Sequence, residues 1–244
     1  MKILIIHGWM NSQERYRDLG SRLQDVAQVE YYEFPGFGSR AYGSFRFNIL
    51  EKYREDLSSF LRGRSYDLIV THSMGGNILL RVLEREDVDA RAILFSNTAY
   101  FGVDSLKPLA WCTPIPVAGL VLFRMLPQRF AWRVAKKIAH GMFHRYKSYD
   151  EITFHDVRRA NPMAAGLCLT GLTYDRFRYS GRKRKAKFYV SYSEEDWEVS
   201  RKKTDLLIRD LNPLGVCSFP GGHMVALEAK EAYEKFLRRL LRTI

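Results

Sequence analysis

The chain has 244 residues, 46% of them hydrophobic and 14% aromatic, which suits one globular domain or one domain with a large insertion. Its 39 Lys and Arg residues outnumber its 27 Asp and Glu residues, for a formal net charge of +12. This excess favours binding to an acidic carrier protein, an anionic membrane surface or an acidic substrate. The alternative is a basic surface with no such partner. Nucleic acid is the least expected partner, because the sequence has no common nucleic-acid-binding motif.

Strands and helices alternate in the first part of the chain. Short apolar or β-branched runs ended by turn residues predict strands at Lys2–Ile6, Gln28–Phe34, Asp67–Thr71 and Ala90–Phe95. Apolar residues at helical spacing predict helices over residues 12–27, 45–62 and 73–86. The alternation predicts βαβ units and a parallel sheet, whose sites lie at the carboxyl ends of the strands.

This alternation stops after the fourth strand. Five prolines and helix-like segments such as Gln128–Ala139 predict a helical lid over residues 99–186, inserted between two parts of a core at 1–98 and 187–244. Aromatic and apolar lid residues are predicted either to line an acyl pocket or to form the small core of the insertion itself. The residues predicted to line the pocket are Tyr100, Trp111 and Trp132. One lid helix is basic, with Arg129, Arg133, Lys136 and Lys137.

The sheet is predicted to resume with strands at Lys187–Tyr192 and Val216–Phe219 and helices at 199–211 and 225–241. The preceding basic run, Arg182–Lys185, is interpreted as a solvated loop, with an anion-binding patch as the alternative.

The cysteines and the apolar stretches bear on the cellular compartment. Cys112, Cys168 and Cys217 lack disulfide or metal-ligand spacing, which favours reduced thiols in the cytoplasm. Leu109–Leu126 is the most apolar stretch, but two prolines and an arginine interrupt it, so it falls short of the roughly 18 apolar residues of a spanning helix. We therefore expect a soluble cytoplasmic protein that makes at most weak contact with a membrane surface.

Ser73 lies at the junction of the third strand and the helix that follows it. The sequence Thr71-His72-Ser73-Met74-Gly75 fits the strand–turn–helix context that exposes a nucleophilic serine near free backbone N–H groups. Only the last glycine of the usual G-x-S-x-G pattern is present, because Thr71 occupies the first position. A plain helix N-cap is the alternative interpretation, since serine is a favoured cap residue.

A nucleophilic serine requires a base and a group that orients the base. Of the six histidines, His223 alone follows a late parallel strand in a Gly-Gly-His loop. Asp196 follows the preceding strand, so the order is nucleophile, acid, base, and Glu194 and Glu195 are competing carboxylates.

Five ordered motifs resemble the α/β-hydrolase superfamily. They are His7-Gly8-Trp9, Phe34-Pro35-Gly36-Phe37-Gly38-Ser39, His72-Ser73-Met74-Gly75-Gly76, Glu195-Asp196 and Gly222-His223. The first two loops look like those of small lidded carboxylesterases such as the pimeloyl-acyl-carrier-protein methyl ester esterases. The resemblance implies an α/β-hydrolase fold with an oxyanion hole made by the backbone N–H groups of Trp9 and Met74. Because no antiparallel strands precede Lys2, we expect a shortened sheet of about six mostly parallel strands.

These observations predict a serine hydrolase that cleaves a carboxylic ester and needs no cofactor and no metal. The substrate is predicted to contact Trp9 and Phe37 as well as the lid residues Tyr100, Trp111, Trp132, Arg129 and Arg133. An acyl methyl ester on an acidic carrier protein and a lipid ester at an anionic surface both fit the basic lid. Thioester or carbon–carbon bond hydrolysis, an elimination, and a non-catalytic binding module are the alternatives.

Overall fold

The computed structural model describes residues 1–43, 47–111, 113–142, 151–182 and 184–244, without the side chains of 135, 136 and 138–142. Within these residues, six parallel strands form a single sheet. The spatial order is β2-β1-β3-β4-β5-β6. The strands are β1 (Lys2–Ile6), β2 (Gln28–Tyr32), β3 (Tyr66–His72), β4 (Ala90–Ser96), β5 (Lys187–Ser193) and β6 (Gly215–Phe219). This confirms the predicted α/β-hydrolase fold with its shortened sheet.

Helices connect the strands on both faces of the sheet. The core helices are α1 (Arg17–Leu23), α2 (Ile49–Leu61), α3 (Met74–Arg85), α9 (Arg201–Leu211), α10 (Val225–Glu228) and α11 (Lys230–Thr243). Between β4 and β5 lie the helices that we call the lid: α4 (Lys107–Trp111), α5 (Pro114–Met125), α6 (Gln128–Met142), α7 (Glu151–Arg159) and α8 (Pro162–Thr173). The division into residues 1–98, 99–186 and 187–244 stays a prediction.

Alternate residues of each central strand enter opposite cores, because successive side chains of a strand point to opposite faces. Leu4 and Ile6 of β1 join the core under α2, α3 and the lid, whereas Ile3 and Ile5 join the core under α1 and α11. All four are at most 1% exposed. The sheet is therefore covered on both faces, which is the arrangement that parallel sheets require.

Two predicted helices differ from the structure. The segment predicted as one helix over residues 12–27 is a 3₁₀ turn at Gln13–Tyr16 followed by α1. The last predicted helix is broken at Ala229, whose φ of −120° and ψ of 38° are not helical. Cys168 and Cys217 are free thiols. Cys112, Lys183 and the side chain of Lys136 lie outside the described residues.

One structural finding concerns long apolar helices. Among the described residues, no single helix has both the length and the apolar composition needed to cross a membrane. The segments Asp104–Trp111 and Pro114–Met125 meet these two criteria only when taken together, across a bend of 78°.

Candidate active site

Ser73 lies in a strained turn between β3 and α3. Its φ of 51° and ψ of −116° are unusual for a residue with a Cβ. Backbone hydrogen bonds maintain the turn: the Ser73 N–H donates to the Ser96 carbonyl at 3.0 Å, and the Ser73 carbonyl accepts from Ala99 at 3.2 Å. The Ser73 side chain caps no backbone N–H of α3, which argues against the simple N-cap interpretation.

The turn passes so close to the end of β1 that two glycines are required. A Cβ at Gly75 would lie 2.7 Å from the His7 carbonyl oxygen and 2.8 Å from that of Ile6. A Cβ at Gly8 would lie 3.0 Å from the Cβ of Ser73. The two contacts at Gly75 are shorter than packed atoms tolerate and the contact at Gly8 is unusually tight, so the glycines let the β1 loop lie directly against Ser73.

Thr71 replaces a glycine without disrupting β3. It is fully buried and continues the strand, paired with Ile6 of β1 and Phe95 of β4. Its hydroxyl donates to the Leu94 carbonyl at 3.1 Å, which satisfies the one polar group that the substitution introduces. The close approach of the turn to β1 occurs at Gly75.

His223 and Asp196 meet beyond the ends of β6 and β5. The Nδ1 atom of His223 lies 2.8 Å from Oδ2 of Asp196, and the two side chains are 5% and 4% exposed. Asp196 also accepts hydrogen bonds from the Asn97 side chain at 2.7 Å and from the backbone N–H groups of Glu198 and Val199 at 2.9 and 3.0 Å. These contacts orient the carboxylate toward the imidazole.

The same contacts explain the electrostatics of the pair. Burial alone would raise the pKa of Asp196, but the positive charge of His223 and the hydrogen bonds from His223, Val199 and Asn97 lower it. Burial alone would lower the pKa of His223, but the charges of Asp196 and Glu198 raise it to about 9. Asp196 is therefore ionised and favours the protonated imidazole.

Glu198 is a residue of the site that sequence reasoning missed. Its Oε2 atom lies 3.5 Å from Nε2 of His223, on the ring edge opposite Asp196, and its side chain is 13% exposed. Within the described part of the chain, the hydrogen bonds of the His223 ring do not include the Ser73 hydroxyl. The only sequence signal was its position two residues after Asp196 in an acidic loop, where Glu194 and Glu195 are exposed.

Two further buried histidines at this edge are neutral. The Nε2–H of His72 donates to the His223 carbonyl at 2.9 Å, and burial lowers the pKa of His72 to about 3. His7 accepts from the Phe34 N–H at Nε2, so its proton lies on Nδ1 and is donated to the Gly8 carbonyl at 2.6 Å. Burial lowers the pKa of His7 to about 4. His72, the residue before Ser73, thus links the end of β3 to the loop that carries His223.

The backbone N–H groups of Trp9 and Met74 belong to the β1 loop and to the first residue of α3. Neither group donates a hydrogen bond within the described residues. The Trp9 indole donates to the Ala165 carbonyl of α8 at 3.0 Å, which holds the β1 loop against the lid. Both N–H groups are therefore available to a ligand, and that at Met74 lies at the positive end of the α3 dipole.

Two of the residues predicted to bind substrate lie in the hydrophobic core. Phe37 is 1% exposed and packs edge-on against His7 and Tyr53. Tyr100 is fully buried, and its hydroxyl donates to Asp210 at 2.7 Å. In this structure both side chains are buried in the core, and their contact with a substrate stays a prediction.

The predicted lid residues are exposed or packed within the lid. Trp111 is 83% exposed, Arg129 and Arg133 are also exposed, and the Trp132 ring packs on Phe154 at 4.8 Å. A cavity of about 460 Å³ is lined by lid residues alone: Pro127, Gln128, Arg129, Trp132, Glu151 and Phe154. Trp132 therefore belongs to a small core of the lid, which was the alternative to an acyl pocket.

Solved structures with the same fold cover nearly the whole chain. The bromoperoxidase from Bacillus anthracis is 17% identical, with a TM-score of 0.78 over 99% of this chain and 91% of that chain. The enol-lactonase from Burkholderia xenovorans LB400 is 14% identical, with a TM-score of 0.73 over 99% and 91%. A thermophilic esterase from Thermogutta terrifontis is 16% identical, with a TM-score of 0.70 over 100% and 90%. At these identities the likeness shows the fold alone.

No functionally curated protein matches the chain. The model of the Alpha/beta hydrolase family, however, matches residues 3–236, which includes the Ser73 turn and the loops that carry Asp196 and His223. The chain therefore belongs to the alpha/beta hydrolase family.

Proposed function

We propose that the protein is a serine hydrolase that cleaves a carboxylic ester through an acyl-enzyme. The observation that carries this proposal is the buried contact between His223 and Asp196, beside a strained turn with Ser73 at its apex. A strained serine, a buried ion pair and free backbone donors each cost stability, so their presence at one sheet edge favours chemistry over a non-catalytic binding module.

In the proposed reaction, the Ser73 hydroxyl attacks the acyl carbon and its proton passes to Nε2 of His223. The backbone N–H groups of Trp9 and Met74 stabilise the oxyanion, a contribution of about 3–4 kcal/mol for a donor of this type. The alcohol departs with the proton from His223. Water, deprotonated by His223, then attacks the acyl-enzyme, and the acid leaves as Ser73 regains its proton.

His223 has to change partner during this cycle. Its Nε2 edge faces Glu198 at 3.5 Å in the free protein, whereas the reaction requires a hydrogen bond to Ser73. Catalytic hydrogen bonds are often loose without substrate and tighten in the complex. Because only a neutral imidazole can accept the serine proton, contact with Glu198 favours a resting state and contact with Ser73 the active state.

The narrower substrate, an acyl methyl ester on an acidic carrier protein, rests on the resemblance of two loops and on the basic lid. It is tested by comparing hydrolysis of a free methyl ester with that of the same acyl group on a carrier protein. A preference for the carrier-linked ester that Arg129→Glu and Arg133→Glu abolish would support it. Equal rates on both substrates would exclude it.

The reaction class is tested with a panel of matched p-nitrophenyl esters, acyl thioesters and vinylogous diketones. We expect the esters to be hydrolysed with an initial burst, and mass spectrometry of quenched reactions to find the acyl group on Ser73. Turnover of thioesters or diketones alone would replace the ester assignment with one of those chemistries. Turnover of none, together with an unmodified Ser73, would favour a binding module.

A further inference from the structure

The solvent-facing side of α5 is apolar along its whole length. Ile115, Leu122 and Met125 are 70%, 64% and 77% exposed, and the residues between them on this face are Ala118 and Gly119. A helix on the surface of a water-soluble domain normally carries polar residues on this side. The outer side of α5 is therefore built for an environment other than bulk water.

The opposite side of α5 is already occupied by the rest of the lid. A Cβ at Gly166 of α8 would lie 2.3 Å from Val117, so the two helices are in close contact there. Further along, the Phe123 ring lies 5.8 Å from Phe154 of α7. The exposed apolar face is thus a second face of a helix that is already packed.

Large apolar side chains are also exposed just before and just after α5 in the chain. Trp111, at the end of α4, is 83% exposed, and Phe130, in the first turn of α6, is 52% exposed. Single exposed hydrophobic residues are ordinary, but several of them on one helix and at its two ends favour a protein or membrane contact.

The charge of the same segment has one sign. Between Asp104 and Asp150 there is no acidic residue, while eight are basic: Lys107, Arg124, Arg129, Arg133, Lys136, Lys137, Arg145 and Lys147. Arg129, Arg133 and Lys137 are exposed and follow one another at four-residue intervals, so they share one side of α6. We define the lid face as the exposed side chains of Trp111, Ile115, Leu122, Met125 and Phe130 with these three basic residues.

We infer that the lid face docks on the surface of an anionic lipid bilayer. Its apolar side chains would enter the boundary between headgroups and acyl chains, and its basic side chains would bind headgroup phosphates. An acidic carrier protein would neutralise the charges but leave the apolar side of α5 in water. A second copy of the chain would cover the apolar side but bring two positive faces together. The bilayer satisfies both features.

The lid face is connected to the candidate active site through α8. Gly166 of α8 contacts α5, and the preceding residue, Ala165, accepts the hydrogen bond from the Trp9 indole. Trp9 lies in the loop whose N–H is proposed to stabilise the oxyanion. Resting on the proposed function, this connection points to esters of membrane-borne amphiphiles as the substrate class.

Vesicle flotation tests the docking without any need for catalysis. The full-length protein, with Ser73→Ala alongside it, is mixed with vesicles of phosphatidylcholine alone or with an equal share of phosphatidylglycerol. We expect both proteins to float only with the anionic vesicles, and less at high salt. The combined change Ile115→Ser, Leu122→Ser and Met125→Ser, and separately Arg129→Glu, Arg133→Glu and Lys137→Glu, should each lower the partition coefficient about tenfold or more.

A matched control separates this surface from the general positive charge. Lys235, Arg239 and Arg242 are exposed on α11, and changing all three to Glu alters the net charge as much as the α6 variant does. This control should float like the wild type. Equal loss in the control, no flotation of the wild type, or self-association of the wild type that the α5 serine variant abolishes would overturn the inference. Hydrolysis of a soluble p-nitrophenyl ester, measured in parallel, reports on the proposed function separately.

Discussion

The Nε2 atom of His223 lies 3.5 Å from the Oε2 atom of Glu198, on the ring edge opposite to the one that contacts Asp196. The imidazole thus lies between two carboxylates. Among the described residues, His72 and Glu228 also face it: the His72 ring centroid is 4.8 Å away, and the charge of Glu228 also raises the pKa of His223.

The Glu198→Gln change should therefore shift the acid limb of the pH profile of kcat/KM to lower pH. A base must be neutral to act, and the pKa of His223 is about 9 in the free protein, so wild-type activity should fall as the pH drops below that value. Removing the Glu198 charge lowers this pKa, and each unit of lowering raises the neutral fraction at pH 7 about tenfold. Glu195→Gln, at an exposed position nearby, is the control; an unchanged limb in Glu198→Gln would reject the role of Glu198.

The second prediction concerns the buried ion pair between Arg15 of the core and Asp156 of the lid. Arg15 and Asp156 of α7 are 3% and 4% exposed and 3.3 Å apart, and the Ser12 hydroxyl donates to Asp156 at 2.5 Å. Asp156→Ala leaves the Arg15 charge buried without its partner, so the free energy of unfolding should fall by about 3–5 kcal/mol. Denaturant titration measures the change.

Two further variants identify the cause of that loss. Asp205→Ala breaks a pair with Arg201 whose side chains are both more than half exposed, and it should cost less than about 1 kcal/mol. The double change Arg15→Met with Asp156→Leu should recover much of the loss, because no buried charge remains. A loss in the double variant as large as in Asp156→Ala would mean that packing dominates at this site.

The third prediction concerns the close contact at Gly75. Gly75→Ala places a methyl group 2.7 Å from the His7 carbonyl oxygen, so the turn and β1 must separate, at a cost of about 1–3 kcal/mol. Because that separation moves Ser73 away from the β1 loop, esterase activity should fall further than stability alone explains. Gly43→Ala, where a Cβ meets nothing within 4 Å, should leave both unchanged; wild-type activity in Gly75→Ala would refute this geometry.

The fourth prediction concerns acid stability. Burial lowers the pKa of His72 to about 3, below its value of about 6.5 in an unfolded chain. A lowered pKa contributes stability that is present above pH 6.5 and is lost as the pH falls toward the folded value. His72→Gln removes this titration and keeps an N–H donor, so its free energy of unfolding should decline less between pH 6.5 and pH 4, by on the order of 2 kcal/mol.

His155→Gln, at a partly exposed histidine, serves as the control for that comparison and should follow the wild type. If the free energies of unfolding of His72→Gln and the wild type fall equally with pH, His72 does not contribute to the acid sensitivity. His223 acts in the opposite direction, because its raised pKa stabilises the fold below pH 6.5 and this contribution is lost as the pH rises toward 9.

The sheet was predictable because its signal is local. Each strand is a short apolar run ended by a turn, and the order of the polar residues after the strands placed Ser73, Asp196 and His223 at one edge. Side-chain direction was harder to predict. Phe37 and Tyr100 follow strands as a pocket residue would, but packing directs both into the core. Glu198 was missed because an acidic loop also has the composition of a solvated surface.

The central claim is that Ser73 is the nucleophile, and labelling with a fluorescent fluorophosphonate tests it most directly. The probe phosphonylates a serine only when a base activates its hydroxyl. The wild type should be labelled and Ser73→Ala should not, while Ser96→Ala, a buried serine at the end of β4, should keep the label. Equal labelling of the wild type and Ser73→Ala would contradict the account.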